Sequence, residues 1–382
     1  MTNPNDERLH ALLRKTRDKE LELKYCVVGA GHGGMAMAAH LAIMGYSVNL
    51  YNRTSEHLNG VRWHGGIALG GEASGFGRIN LATADIAEAI SGVDVIMVVT
   101  PTTAHRPLAK KMAPHLIDGQ IIVLNPGRTG GALEFRKVLD DNKATASVFL
   151  AETQTFIYAS RALSRSEAFI YRIKNKVPLA TLPAYWIPDV LAVINQAFPQ
   201  FVAGNNVLCT SMENIGAIFH PALTLVNAGW IEATQGNFDY YTQGITPSVA
   251  KLLEKIDQER TAVASSLGIG TVSAREWLYL SYDSSGRDLF EAIQNTKSYR
   301  GIKAPQNIFH RYVFEDVPMS LVPLASIGAM FGVHTPTIHM IIELASIMHG
   351  RDYWSEGRTV EKLGLAGRSV QEIRQMVVGV ER

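Results

Sequence analysis

The sequence predicts an α/β chain, with an N-terminal Rossmann-type doubly wound parallel sheet followed by an all-α C-terminal domain. Three observations predict it. Apolar runs short enough to be strands alternate with helix-forming segments through the first half of the chain. A glycine loop joins the first such strand to the first such helix. Beyond about residue 190 long helical periodicities take over and few strand signals remain. A chain of 382 residues is too long for one small core, so two domains are expected.

Residues 1–20 read as a charged, loosely amphipathic helical appendage. Tyr25 to Val28 suits a buried parallel strand, and the Ala/Met-rich segment after the glycines suits a helix that Gly45 ends. Ser47 to Tyr51 completes a strand–turn–helix–strand unit. VDVIMVVT (93–100), QIIVLNP (120–126) and SVFLAET (147–153) continue the sheet, separated by helical 104–116 and ALEFRKVL. The dinucleotide-binding domain is therefore placed at 21–188 and a helical substrate domain at 189–382, with the boundary at the aromatic, Pro-rich LPAYWIP. DVLAVINQAF, PSVAKLLEKIDQERTAVASSLG and VQEIRQMVV are its clearest helices.

Composition excludes several classes. With 36 Lys+Arg against 35 Asp+Glu the net charge is +1, which leaves no electrostatic footprint for nucleic acid or an anionic membrane. The two cysteines, Cys26 and Cys209, make neither a disulfide framework nor a zinc site, and no metal is expected. The N-terminus has no apolar signal region, so a cytoplasmic protein is expected. No Asp, Glu, Lys or Arg lies between Asp316 and Glu343, but Pro318, Pro323, Pro336, His334 and His339 interrupt the stretch. It reads as buried helices around a GVHTP turn and not as a membrane span. The apolar helical half offers room for a homodimer interface.

Gly29, Gly31 and Gly34 match G-x-G-x-x-G in the context that gives the pattern a mechanism. The first allows the tight turn, the second lets backbone approach a pyrophosphate, and the third lets helix pack on strand. His32 and Gly33 lie inside the loop, His32 as a solvent-facing or pyrophosphate-proximal residue. Where an NAD site usually carries an acid for the ribose, the second strand ends in Asn52-Arg53-Thr54. A guanidinium flanked by Asn and Thr donors suits a 2′-phosphate, so NADP(H) is favoured over NAD(H). Thr100 and Pro101 end a strand where nicotinamide-ribose contacts are expected, and Glu152 is placed similarly.

Within ENIGAIFHPALTLVN, His220 read locally is a hydrogen-bonded core residue. Other stretches change its standing: GAGHGGMAMAAHLA, LNPGRTGGALEF, AETQTFIYASR and HRYVFEDVPMSLVPLASIGAMFGVHTP. With ENIGAIFHPALTLVNAG they resemble the opine dehydrogenases, the octopine/nopaline dehydrogenase family, in order and over nearly the whole chain after the appendage. The resemblance implies an NAD(P)-dependent oxidoreductase that condenses an amino acid with an α-keto acid and reduces the imine. It also implies that His220 pairs with Asp316 and that Arg311 meets the keto-acid carboxylate. The extension before residue 21 and Asn-Arg-Thr after the second strand depart from the family pattern. The chemistry agrees: histidine titrates near neutrality, a carboxylate fixes its tautomer, and arginine grips a planar carboxylate. Set against this are a β-hydroxyacid or glycerol-phosphate type dehydrogenase, for which Lys251, Lys255, Lys297 and Lys303 are available, and a non-catalytic dinucleotide-binding protein. Small-molecule substrates are expected in either enzyme reading.

Overall fold

A computed structural model describes residues 10, 11, 13, 14, 16–18 and 22–379. In the appendage expected over 1–20, residues 10, 11, 13, 14, 16 and 17 are helical; apart from Asp18, the others lie outside the described residues. The chain divides into two compact units. One comprises the described residues up to Thr210 and the segment from Glu372 onward; the other is Ser211–Gln371.

The first unit contains twelve strands: β1 (Lys24–Val28), β2 (Ser47–Tyr51), β3 (Gly66–Gly71), β4 (Gly75–Arg78), β5 (Leu81–Thr83), β6 (Val95–Val98), β7 (Ile121–Leu124), β8 (Phe149–Thr153), β9 (Tyr158–Ala162), β10 (Glu167–Ile173), β11 (Val177–Leu182) and β12 (Phe201–Ala203). Eight form the main sheet in the order β12-β11-β8-β7-β6-β1-β2-β5. From β5 to β8 all neighbours are parallel, which is the doubly wound order with its switch point between β1 and β6. β11 runs antiparallel to β8, and β12 runs parallel to β11. The first unit thus continues past the expected end at 188, because β12 extends the sheet and the helix Ile187–Ile194 packs on β11 and β12. Its C-terminal segment also rejoins it: a Cβ on Gly379 would meet the Tyr185 ring at 2.2 Å.

Helix α1 (His32–Ile43) is packed between two sheets. It contacts β1 and β2 of the main sheet and also all four strands of a second sheet, β4-β3-β10-β9. Buried on both sides, it is built from Gly34, Met35, Ala36, Met37, Ala38, Ala39 and Leu41 and has no polar face. Small residues let the layers approach: a Cβ on Gly77 of β4 would fall 2.5 Å from the Ala39 carbonyl oxygen. The second sheet has no counterpart among the expected elements.

The second unit is helical, with one isolated bridge between Asp239 and Lys303. Arg311–Met330 is long and apolar enough to cross a membrane by length and composition, but 78% of its most apolar window is buried in protein. Two buried carboxylates organise the helices around it. Glu259, on the helix Pro247–Ser266, accepts from the Thr337 and Ile338 amides at 3.0 and 2.9 Å and so caps the helix Pro336–His349. Asp257 accepts from Arg260 Nε and Nη2 and from the Ala274 amide, while Arg260 also donates to the Met212 and Val272 carbonyls. Arg260 is 1% exposed, so removing it leaves Asp257 charged and buried. Arg260→Leu is expected to cost roughly 3–5 kcal/mol, read as a lower urea midpoint at unchanged slope.

Candidate active site

The glycine loop is built by its own packing. Gly29 lies at φ +119°, and a Cβ there would meet the Val99 carbonyl oxygen at 2.5 Å. A Cβ on Gly34 would fall 1.6 Å from the Gly29 carbonyl oxygen, so the third glycine lets α1 begin against the end of β1. A Cβ on Gly33 would meet the Phe156 ring at 2.7 Å. Gly31 differs: φ is −84°, and a Cβ would meet nothing within 4 Å. Neither backbone nor neighbours demand glycine there, which leaves the approach of a phosphate to the α1 N-terminus as its physical reason.

A cleft of about 310 Å³ opens beside the loop, lined by Gly29, Tyr51, Asn52, Arg53, Thr100 and Pro101 and by one face of the helix His105–Met112. Thr100 Oγ1 is buried here with no hydrogen-bond partner, an orphan that a bound ribose or carboxamide would satisfy. The open space at Gly31, this hydroxyl and the cleft at the switch point fit a nicotinamide dinucleotide. Other expected residues take different places. Asn52 is a tie within the protein: Oδ1 accepts from the Ala30 amide at 3.2 Å and Nδ2 donates to the Thr54 carbonyl at 3.0 Å. His32 Nδ1 accepts from the Ala162 amide at 3.0 Å, anchoring β9 and not facing the cleft lining. Glu152 is fully buried, accepting from the Ala132 amide at 2.8 Å and from Thr210 Oγ1 at 2.5 Å. Thr54 is exposed beside Arg53, outside the cleft lining.

In the helical unit the structure joins residues 96 positions apart. His220 Nδ1 lies 2.8 Å from Asp316 Oδ2, with the two side chains 18% and 1% exposed. A buried carboxylate accepts, so Nδ1 carries the proton and the neutral ring keeps its lone pair on Nε2. Asp316 precedes a π-helical turn, Val317–Leu321, and makes no side-chain cap to it. The His220 ring stacks on Tyr312 at 4.1 Å, and Tyr312 in turn stacks on Tyr240 at 5.5 Å. Thr224 Oγ1 and the Tyr240 hydroxyl both donate to the His220 carbonyl, at 2.7 and 3.1 Å. Burial pushes the Tyr240 phenol well above its ordinary range, which keeps it a donor.

Arg311 is held by a residue the sequence reading passed over. Its Nε and Nη2 both lie 2.9 Å from Oε2 of Glu315, which is 1% exposed, while the guanidinium is half exposed. The Nη1/Nη2 edge is the one presented outward. His310 is a second unforeseen neighbour, edge-on to Tyr312 at 4.3 Å, with Nδ1 accepting from the Tyr312 amide at 3.4 Å. Burial, then the Arg311 and His220 charges, hold its pKa below the ordinary histidine range, so it is neutral at pH 7. Only proximity to Arg311 in the sequence pointed to either residue. Asn214 bonds Ser320 Oγ and Asn227 bonds the Leu223 and Gly244 carbonyls, both within the helical scaffold. Lys251, Lys255 and Lys297 are exposed, and Lys303 pairs with Asp239.

Comparison with known proteins agrees with this division. Residues 203–349 match the NAD/NADP octopine/nopaline dehydrogenase alpha-helical domain, and residues 24–127 match the NAD-dependent glycerol-3-phosphate dehydrogenase N-terminus. An opine dehydrogenase of Arthrobacter sp. (strain 1C) is 41% identical over 92% of this chain and 98% of its own length. The chain belongs to the opine dehydrogenase family. It is an NAD(P)-dependent oxidoreductase. The octopine dehydrogenase of Pecten maximus is 23% identical over 90% of this chain and 94% of its own. The solved octopine dehydrogenase with NADH and L-arginine shares the fold at TM-score 0.77 and 20% identity, covering 94% of this chain and 99% of that one. Yersinopine dehydrogenase with NADP+ follows at TM-score 0.67 and 14% identity, covering 94% and 98%.

The two loop glycines separate cofactor from scaffold. Gly31→Ala is expected to leave stability within about 0.5 kcal/mol while weakening dinucleotide binding. Gly34→Ala is expected to cost at least about 1–3 kcal/mol from overpacking. Thermal melts with and without NADPH, beside a dinucleotide titration, check both.

Proposed function

We propose that this opine dehydrogenase joins the amino group of an amino acid to the carbonyl of an α-keto acid and reduces the imine to a secondary amine. The observation that carries the mechanism is the 2.8 Å bond between His220 Nδ1 and buried Asp316. With Nδ1–H fixed on the carboxylate, Nε2 is the working nitrogen. His220 takes a proton at Nε2 from the substrate ammonium, the freed amine adds to the keto carbon, and the imidazolium, stabilised by Asp316, gives that proton to the former carbonyl oxygen. The ring then takes a second proton from the carbinolamine nitrogen and gives it to the hydroxyl, which departs as water and leaves the protonated imine. Bound NAD(P)H supplies the hydride, which goes to the former keto carbon.

Arg311 is assigned to the keto-acid carboxylate. Glu315 occupies its Nε side, so the substrate is expected on the Nη1/Nη2 edge, where two parallel N–H donors match two carboxylate oxygens. His310, held neutral by burial, packs on the same tyrosine and accepts from the Tyr312 amide at Nδ1. NADP(H) is the proposed preferred cofactor, because Arg53 lines the cleft where an NAD site would carry an acid. The glycerol-phosphate type alternative is not favoured: the match to that family covers residues 24–127 alone.

The reaction is tested by following NADPH and NADH oxidation over a matrix of α-keto acids and amino acids; no turnover with any pair would overturn it. His220→Ala is expected to lower kcat roughly 10²–10⁴-fold with dinucleotide affinity nearly unchanged. Asp316→Asn is expected to follow it, since an amide carries no charge to stabilise the imidazolium and can donate its NH2 to Nδ1, which fixes the wrong tautomer. A His220→Ala enzyme that keeps its kcat would sink the assignment.

A further inference from the structure

We propose that Lys111 is the second cation of a 2′-phosphate site in the cleft, acting with Arg53 to bind the phosphate monoester that distinguishes NADP(H) from NAD(H). The proposal rests on the NADP(H) preference above and deepens it, by giving the phosphate a ligand on a different element. Arg53 follows β2, whereas Lys111 lies on the helix His105–Met112.

Helical spacing places the lysine. Ala104, Pro107, Leu108 and Lys111 recur at intervals of three and four, and all four line the cleft. The first three contribute apolar lining, and Lys111 adds a charge to it. Its neighbour Lys110 turns to another hollow, beside Arg106 and Asp141. Position 111 is thus the lysine of this helix that faces the cleft.

The charge balance of the cleft says what it takes. Arg53 and Lys111 are exposed cations, and no Asp or Glu stands among the lining residues. The carboxylate whose charge acts on Tyr51 is Asp85, which caps its own helix through the Ala87 amide at 2.8 Å. Asn52 ties the glycine loop through its side-chain oxygen, so the positive charge at this end comes from the two long side chains. A phosphate monoester carries about −1.5 to −2 at pH 7, which balances two cations; a ribose hydroxyl balances neither. The planar fork of Arg53 suits two phosphate oxygens, and the Lys111 ammonium suits the third as a point charge.

The test uses the full-length enzyme with Lys111→Met, Lys111→Glu and Arg53→Met. Affinities for NADPH and NADH are read by quenching of protein fluorescence, and 2′-AMP is compared with 5′-AMP as a competitor. Lys111→Met is expected to weaken NADPH and 2′-AMP roughly tenfold, with NADH and 5′-AMP moving less than about twofold. Lys111→Glu is expected to weaken NADPH further and bring the two cofactors together. A Lys111→Met enzyme that loses NADPH and NADH affinity equally, or neither, overturns the role of Lys111. If Arg53→Met still lowers NADPH affinity alone, the cofactor preference stands without it. A wild-type enzyme that binds NADH more tightly than NADPH overturns both.

Discussion

The first unit depends on burying α1 from two sides. A helix ordinarily turns a polar face to water, but this one meets the main sheet and the second sheet at once, and its buried positions are glycine, alanine, methionine and leucine. The approach is close enough that Gly34 touches the Gly29 carbonyl and Gly77 touches that of Ala39. A helix pinned so tightly cannot shift along its axis, so its first turn and the glycine loop feeding it are held in one geometry. Anion binding at a helix N-terminus needs amides already aimed, since ordering them on binding would cost affinity. The phosphate cradle is therefore a consequence of how the two sheets pack.

The helical unit is organised by buried carboxylates. Asp257, Glu259, Glu315 and Asp316 are nearly inaccessible, and a buried carboxylate is tolerable only with close donors. Three of them reach scaffold groups or a half-exposed guanidinium: Arg260 and the Ala274 amide, the amides opening Pro336–His349, and Arg311. The fourth reaches His220, whose other ring nitrogen is still able to take a proton. One physical rule, that a buried charge must be paired, thus yields a helix cap at Glu259 and a fixed imidazole at Asp316. The difference lies in the partner.

The legible parts of the sequence are those whose signal is local. Five of the six parallel strands announce themselves as apolar runs because both faces are covered, and the loop glycines carry their spacing with them, whereas β5 is three residues long and only partly buried. The second sheet was illegible for a matching reason: GIALGG and GFGR are glycine-rich and partly exposed, with neither an apolar run nor clean alternation. β12 is three residues long and joins through backbone pairing with β11, so the expected boundary at 188 falls short of Thr210. The His220–Asp316 contact spans 96 residues, and no spacing rule reaches that far; it came from motif resemblance. Asn52 lines the cleft at the end of β2, but its bond to Ala30, 22 residues upstream, is one only the folded turn reveals.

His220 lies in an apolar helix directly before a proline, and both circumstances restrict the ring. Pro221 fixes its own φ and has no amide hydrogen to donate to the preceding turn, which weakens the helix where the histidine stands. Thr224 and Tyr240 hold the His220 carbonyl from two sides. Tyr312 covers one face of the ring, and Asp316 fixes Nδ1. Backbone, ring plane and tautomer are each set by a different neighbour, so little rotamer freedom is left to lose when substrate arrives. A lone core histidine needs only its polar atoms satisfied. This one is satisfied at Nδ1 and held at its carbonyl and on one ring face, while Asp316 leaves Nε2 unengaged.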